Sequence, residues 1–163
     1  MSLLELCRWI YDSQIGTGIR ESVYLFPILE GTHVIGLALS VGTVMWFDLR
    51  LLGVTMRNQP VSEVFGQLKP WMLSGFSIMF LTGSLLFSSV AVDAYSNTSF
   101  RVKMLVLLLS GLNILVFHST VDRRRHEWDK APIPPLQARL AGLLSLILWM
   151  SVIVAGRLFA YAV

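Results

Sequence analysis

Glu30 and His33 are the residues best suited to chemistry in an otherwise apolar stretch of the chain. They lie three residues apart in FPILEGTHVIGLALSVGTVMWFDLR, residues 26–50. Titratable side chains are costly in the hydrocarbon of a bilayer, and by default they mark a functional site or a paired internal contact. An imidazole binds metals and exchanges protons, and a neighbouring carboxylate can orient its ring. The stretch therefore predicts a buried polar site that faces the interior of a membrane protein.

Five residues with polar or charged side chains share the outer half of the membrane in the predicted topology. We call them the outer cluster: Glu30, His33, Arg101, Lys103 and Arg157. In one interpretation His33 is the axial ligand of a haem b iron, the three cations receive the propionates, and Glu30 orients His33. In a structural interpretation Glu30 pairs with Arg157, and His33 bonds to Ser or Asn side chains to hold the bundle together. A bound metal ion or a transported proton is the remaining interpretation.

A second group of polar residues lies at the opposite headgroup boundary. We call it the inner cluster: Asp48, Arg50, His118 and Asp122. It adjoins the basic run Arg123–Arg125. One interpretation is a satisfied interfacial network of salt bridges. The other is a site for a quinone head or for proton entry, with His118 as the proton-exchanging group.

The depths of His33 and His118 argue against a single iron held by both rings. If Asp48 and Asp122 mark the inner helix ends, His33 lies 15 residues and His118 four residues from its own end. The difference of 11 residues corresponds to about 16 Å along a helix. His33 is therefore predicted to be a lone axial ligand.

The elements that position these residues are four long apolar segments. Hydrophobic residues make up 55% of the 163 residues and charged residues 14%, with a mean hydropathy of +0.66. Soluble domains are about a quarter charged, so this composition indicates an integral membrane protein. The apolar segments cover residues 23–47, 70–92, 102–121 and 140–163. Each is long enough to cross a hydrocarbon core of about 30 Å as a helix. We predict an all-α fold, with residues 1–163 forming one domain, a four-helix transmembrane bundle.

The N-terminal segment, residues 1–20, is predicted to hold one short amphipathic helix at the membrane interface. Ser2 and Glu5 have the spacing of a capping box, and Gly16–Gly18 are expected to break the helix. The single cysteine, Cys7, is predicted to be a packing residue and excludes an intrachain disulfide or a Cys-based zinc site.

Charge placement predicts the orientation of the bundle. Of the 13 Lys and Arg residues, eight fall in the two predicted loops at residues 48–69 and 122–139. Cytoplasmic loops collect such residues, so both termini are expected outside the cytoplasm. The net charge of +3 calls for no nucleic-acid partner, and neither a phosphate-binding loop nor a nucleophile elbow is present in the sequence.

Four stretches of the chain together resemble a family of bacterial four-helix inner-membrane proteins of unknown function. They are ESVYLFPILEGTHVIGLALSVGTVMWFDLRLLG, KPWMLSGFSIMFLTGSLLF, FRVKMLVLLLSGLNILVFH and ARLAGLLSLILWMSVIVAGR. More distantly, a His early in the first span, an Arg at its inner end and a Lys opening the third span are similar to the four-helix protoporphyrinogen oxidase and the copper-resistance D membrane domain. By this resemblance His33 would bind haem b and Lys103 would be needed for activity, with Arg50 as the inner Arg. Asp48 and Glu30 have no counterpart in that pattern.

Three functions are consistent with these features. The first is a haem b electron-transfer module that works with a quinone or a membrane redox partner. The second is a non-catalytic membrane subunit, assembly factor or homo-oligomer whose buried polar residues are structural. The third is copper or proton handling, which the small number of soft ligands disfavours. No defined enzymatic reaction is assigned.

Overall fold

The computed structural model describes residues 2–161, and all regular secondary structure within that range is helical. The α-helices are α1 (Leu3–Tyr11), α2 (Gln14–Glu21), α3 (Leu25–Leu51), α4 (Val61–Ser96), α5 (Thr98–Val116), α6 (Arg125–Trp128) and α7 (Leu136–Ala160). A π-helical turn (Phe117–Val121) and a 3-10 turn (Asp122–Arg124) join α5 to α6, so that one helical rod runs over Thr98–Trp128. Four segments (α3, α4, this rod and α7) are long and apolar enough to cross a membrane. The predicted all-α fold with four spans is confirmed.

The N-terminal segment forms two short helices, and both pack against α4. Ser2 and Glu5 form the predicted capping box at the start of α1, where the Ser2 amide donates to Glu5 Oε2 at 2.7 Å. Cys7 is buried, whereas Leu3 and Trp9 are exposed on the outer surface of the helix. This amphipathic arrangement suits a helix at the membrane interface.

The prediction that Gly16–Gly18 break the N-terminal helix was wrong. Ser13 caps α2 by accepting a hydrogen bond from the Gly16 amide at 3.1 Å, and the helix continues through both glycines. A Cβ on Gly16 would lie 2.6 Å from the Ser88 carbonyl oxygen of α4. The glycine therefore permits the close approach of two helices, a role that does not require a turn.

Helix α4 begins at Val61, nine residues before the predicted start at Pro70. Its first amides are satisfied by a distant loop, because the Val61 amide donates to the Asp129 carbonyl oxygen at 2.9 Å and the Ser62 amide donates to Asp129 Oδ1 at 2.7 Å. Pro70 lies inside the helix. The 36 residues of α4 span about 54 Å, so its first turns extend beyond a hydrocarbon core of about 30 Å.

The third span is also longer than predicted, since the basic run Arg123–Arg125 is helical and the rod ends only at Trp128. The predicted loop over residues 122–139 is thereby reduced to the few residues before α7. Prolines occupy three of these positions: Pro132, Pro134 and Pro135. Proline fixes an extended approach and is well tolerated just before a helix, so α7 begins at Leu136.

The spans associate as two antiparallel pairs. Helix α3 packs along α4, the rod packs along α7, and the two pairs meet where α3 contacts α7. Helices α4 and α5 contact each other little, although they are consecutive in the chain. The largest cluster of buried apolar side chains lies in the inner half of the bundle and includes Val41, Phe47, Leu51, Trp149 and Val152.

Candidate functional site

A glycine contact holds α3 and α4 close together and sets their register. A Cβ on Gly75 would lie 2.5 Å from the Ser40 nitrogen and 2.8 Å from its Cα, and a Cβ on Gly36 would also clash with α4. Ser40 follows His33 by seven residues on α3, and Thr82 follows Gly75 by seven residues on α4. Because seven residues are about two helical turns, the same register places His33 opposite Thr82.

The His33 ring is fixed by a hydrogen bond between its Nδ1 and Thr82 Oγ1 at 2.9 Å. The Thr82 hydroxyl already donates its single hydrogen to the Ile78 carbonyl oxygen at 2.6 Å. A Thr82 hydroxyl that donates to Ile78 can accept from Nδ1–H, and in that tautomer of the neutral imidazole Nε2 carries the lone pair. A Cβ on Gly83 would lie 3.1 Å from His33 Cε1, so this glycine makes room for the ring.

Lys103 supplies a cation to the interior of the outer half. Its side chain lies against α7, where a Cβ on Gly156 would be 3.7 Å from the Lys103 Cδ, Cε and Nζ atoms. The Lys103 side chain is half-buried. Within residues 2–161 the Lys103 ammonium has neither a hydrogen bond nor an ion pair, so an anionic group at this position would be stabilised.

The remaining members of the outer cluster do not converge on His33. The predicted charge pair between Glu30 and Arg157 is not formed, since neither residue has an ion pair within residues 2–161 and both are exposed. Arg157 donates to the Tyr161 hydroxyl at 3.1 Å. Arg101 is also exposed, and its Nη2 donates to the Tyr95 carbonyl oxygen at 2.7 Å. These two arginines interact locally at the outer end of the bundle, where guanidinium groups reach the headgroups.

The inner cluster is divided into separate sites, contrary to the expectation of one network. Asp48 and Arg50 are both buried, at 4% and 0% exposure, but they do not contact each other as an ion pair. Asp48 lies on α3 beside Ser145 of α7, and its Oδ2 atom has no hydrogen-bond partner within the described residues. His118 and Asp122 form a local contact, with Nδ1 at 2.9 Å from Oδ2.

Arg50 joins the two inner loops. Its Nε and Nη2 atoms donate to the Gln59 carbonyl oxygen at 3.1 and 2.9 Å, and Nη2 also donates to the Ala131 carbonyl oxygen at 3.0 Å. Gln59 precedes α4, and Ala131 lies between α6 and α7. A planar guanidinium suits this task because it presents several donors in a fixed arrangement.

Asp129 completes the same junction by capping α4 from the loop before α7. Its carboxylate accepts from the Ser62 amide and from the Ser62 hydroxyl, each at 2.7 Å. Partial burial favours the protonated carboxyl, but the two hydrogen bonds from Ser62 and the charges of Arg125 and Arg50 outweigh burial and hold the pKa of Asp129 below its usual value. The carboxylate is therefore ionised and bonded at neutral pH.

His33 and His118 lie in different layers of the bundle. The Phe65 ring packs against both Phe47, at 5.3 Å between centroids, and His118, at 5.9 Å. His118 is thus close to the depth of Phe47, which follows His33 by 14 residues on α3, or about 21 Å. One iron cannot join the two imidazoles, as the sequence predicted.

Comparison with known protein families shows which family this chain belongs to. A model described as a family of unknown function, DUF6644, matches residues 12–162, which is most of the sequence. The chain belongs to the DUF6644 family. No curated protein and no solved structure matches it. The family gives the chain no activity, so the function of this DUF6644 protein has to be argued from its own residues.

Several residues that build the sites of this DUF6644 chain escaped the sequence analysis. Thr82, Gly83 and Gly156 look like ordinary packing residues of transmembrane helices, and only the register of the helices shows that they surround His33 and Lys103. No signal in the sequence identified them. Within residues 2–161, no group of three or more His, Cys, Asp or Glu side chains is placed to hold a metal ion. A haem iron with a single protein ligand needs no such group.

Proposed function

We propose that this membrane protein binds haem b through His33 and serves in electron transfer within the bilayer. The observation that carries the proposal is the presence, in one half of the bundle, of an imidazole bonded through Nδ1 to Thr82 and of a half-buried Lys103 that has no hydrogen bond or ion pair within residues 2–161. The first is what a haem iron requires, and the second is what a haem propionate requires. The distant resemblance to haem-binding four-helix membrane proteins agrees with the same residues.

The residues around His33 fit the requirements of an axial ligand. Metal-bound histidines almost always donate their other ring nitrogen to a fixed acceptor, which holds the orientation and raises the basicity of the ligand. Thr82 is such an acceptor, and its own hydrogen is engaged with Ile78. Lys103 would receive a propionate in this arrangement. Haem, when bound, would supply a one-electron redox couple.

Arg101, Arg157 and Glu30 have secondary roles in this proposal. Arg101 and Arg157 are exposed near the outer end, where they would contact headgroups or a propionate that reaches the surface. Glu30 follows the start of α3 by five residues and is exposed, so it tunes His33 only indirectly. The essential set is therefore His33, Thr82 and Lys103.

The test is the absorption spectrum of protein purified in mild detergent after growth with a haem precursor. We expect a Soret band that shifts on reduction with dithionite and is lost in His33→Ala. His118→Ala is the matched control, because it removes an imidazole from the other layer and should leave the band intact. A colourless wild-type protein that is fully folded, or a band that survives in His33→Ala, would refute the proposal.

Thr82→Val provides a second test that separates positioning from ligation. Valine has nearly the shape of threonine but cannot accept the Nδ1 hydrogen. We expect the variant to retain haem and to show a higher reduction potential, because the ligand becomes less basic, or a weaker haem affinity. Loss of such an orienting partner typically weakens binding by about 10-fold or more. An unchanged potential and affinity would exclude Thr82 as the group that orients His33.

We place the protein in the bacterial inner membrane with both termini in the periplasm. The support is the bias of Lys and Arg toward residues 48–69 and 122–139, which lie at the end of the bundle where α3 connects to α4 and the rod connects to α7. A quinone or a membrane-bound protein would then be the electron partner. Fusions of alkaline phosphatase after α4 and after α3 test the orientation, since only the fusion after α4 should be active.

A non-catalytic subunit is the second candidate function, and the exposed surface of the third span favours it. Only 11% of the most apolar window of this span is buried inside the bundle, the lowest share among the four spans. Lipid or a further helix would cover it. This candidate function predicts a stable complex or oligomer of defined mass in detergent. His33→Ala should then assemble with the same subunit stoichiometry as the wild-type protein.

A further inference from the structure

A cleft opens between α4 and α5 in the inner half of the bundle, well separated from His33. Its volume is about 300 Å³. It exists because the two helix pairs meet along α3 and α7, while α4 and α5 contact each other little. Four aromatic side chains line it: Phe47, Phe65, Phe76 and Phe117. The cleft is thus a flat apolar space at the depth where the inner headgroups begin.

A single buried carboxylate dominates the polar chemistry of this cleft. Asp48 lines it, is only 4% exposed, and has an Oδ2 atom with no hydrogen-bond partner in residues 2–161. A buried acceptor without a donor costs about 1–3 kcal/mol and more for a charged group, so such an atom needs an explanation. Asp48 forms part of the cleft wall, and a ligand in the cleft that donates a hydrogen bond to its carboxyl group would satisfy Oδ2.

Ser145 lies beside Asp48, but none of the polar side chains that line the cleft donates to Asp48 Oδ2. Asn113 also lines the cleft, but its Nδ2 already donates to the Ala141 carbonyl oxygen at 3.1 Å. His118 lines the cleft with its Nδ1 engaged by Asp122. Lys69 lines it as well, but its side chain is exposed, consistent with an ammonium drawn toward the headgroups.

We propose that this cleft binds the head of a quinol, a hydroxylated aromatic ring carried by a lipid-soluble tail. The phenylalanine walls match a flat ring, and aromatic pairs favour offset or edge-to-face contact. A ring hydroxyl can donate to Asp48 Oδ2 when the carboxyl group is unprotonated, which a quinone carbonyl cannot do. The gap between α4 and α5 gives the tail a path to the lipid. An anionic phospholipid head would face the buried Asp48 carboxylate, so it is disfavoured.

This binding site does not depend on haem at His33, so the two proposals can fail separately. The probe is a decyl-substituted benzoquinol kept reduced, with binding measured by equilibrium dialysis against protein in nanodiscs and against empty nanodiscs. We expect specific binding of the quinol, weaker binding of the corresponding quinone, and no competition by decylbenzene. Equal binding of all three compounds would show an apolar lipid pocket and overturn the proposal.

Asp48→Asn is the decisive variant because it keeps the shape of the side chain and removes its charge. We expect quinol binding to weaken about 10-fold or more, as for loss of a hydrogen bond to a charged group. The melting temperature should be unchanged or higher, since Oδ2 has no partner to lose. Asp93→Asn, at an exposed position near the outer end of α4, is the matched control and should bind as wild type.

A cleft-filling variant keeps the proposal testable if Asp48→Asn does not fold. Ala141 lies in the cleft wall on α7 and is partly buried, so Ala141→Phe would occupy the ring site without changing any charge. Loss of quinol binding is expected. Wild-type affinity in Asp48→Asn or in Ala141→Phe would place the ligand elsewhere and refute the assignment.

Discussion

Replacing Gly75 with alanine tests whether the close approach of α3 and α4 positions His33. The new Cβ would lie 2.5 Å from the Ser40 nitrogen and 2.8 Å from Ser40 Cα, and backbone atoms cannot rotate away. Ordinary contact between heavy atoms begins at about 3.5 Å, so the helices must separate by about 1 Å. The same movement would stretch the 2.9 Å bond between His33 and Thr82 to about 3.9 Å, beyond hydrogen-bond range.

The expected cost follows from these two effects. Overpacking of a tight contact costs about 1–3 kcal/mol, and loss of a hydrogen bond costs about 1 kcal/mol. We therefore expect Gly75→Ala to lower the free energy of unfolding by about 2–4 kcal/mol. The assay is unfolding in mixed micelles with increasing dodecyl sulfate, followed by circular dichroism. Nitrogen NMR of histidine reports in parallel whether the His33 proton remains on Nδ1.

Gly31→Ala is the control, because Gly31 lies on α3 and a Cβ there would meet nothing within 4 Å. This variant should match wild type or be slightly more stable, since alanine favours helix. The reasoning is refuted if Gly75→Ala unfolds at the same denaturant concentration as Gly31→Ala and keeps the His33 signal unchanged.

Three further predictions concern the loops and the N-terminal helices. Asp129→Ala should lower the free energy of unfolding by about 1–2 kcal/mol at pH 7, as for loss of a helix cap. Because the folded state lowers the pKa of Asp129, this contribution is present at neutral pH and lost as the pH falls below about 4. The melting curves of the two proteins should therefore differ more at pH 7 than at pH 3, and a difference that does not change with pH would exclude the capping role. Arg50→Met leaves the carbonyl groups of Gln59 and Ala131 without their donor and should cost about 3 kcal/mol in the same unfolding assay, with Arg50→Lys restoring only part. Full recovery by lysine would contradict the need for the planar set of donors that arginine provides. Gly16→Ala should detach α2 from α4 and speed proteolysis of the N-terminal segment, whereas Gly18→Ala, with nothing within 4 Å of the new Cβ, should not; equal rates would disprove the contact.

The four spans could be predicted because apolar runs of about 20 residues have few alternatives in a membrane. The ends of the helices were harder to predict from the sequence. Helix α4 begins at Val61 because Asp129, which is 68 positions later in the chain, caps it. No sequence pattern near Val61 predicts a helix cap from a residue so distant in the chain. The prediction of a helix break at Gly16–Gly18 was wrong for a related reason. Gly16 is needed because α4 packs closely against it, and this contact is not visible in the local sequence.

The outer cluster shows which features of a site can be predicted from the sequence of a membrane protein. The depth of a residue in the membrane follows from counting residues along its helix, and this count correctly placed His33 and His118 at different depths. Rotation about the helix axis does not follow, because α3 is apolar on nearly every side and gives no sign of which face is internal. Glu30 therefore turned out exposed and unpaired with Arg157, while Thr82, an unremarkable residue in the sequence, became the partner of His33.

The arrangement of the spans in two sequence-continuous pairs has a consequence for biosynthesis. The hairpin of α3 and α4 is complete before the ribosome has made α7, so its glycine contact and the bond between His33 and Thr82 can form while the rest of the chain is still being translated. The later hairpin then joins the earlier one along α3 and α7, and this docking step brings Lys103 into the layer of His33. Under the proposed haem function, haem would enter from the side before docking is finished, when the outer layer is still open to lipid. The second hairpin would then close over it.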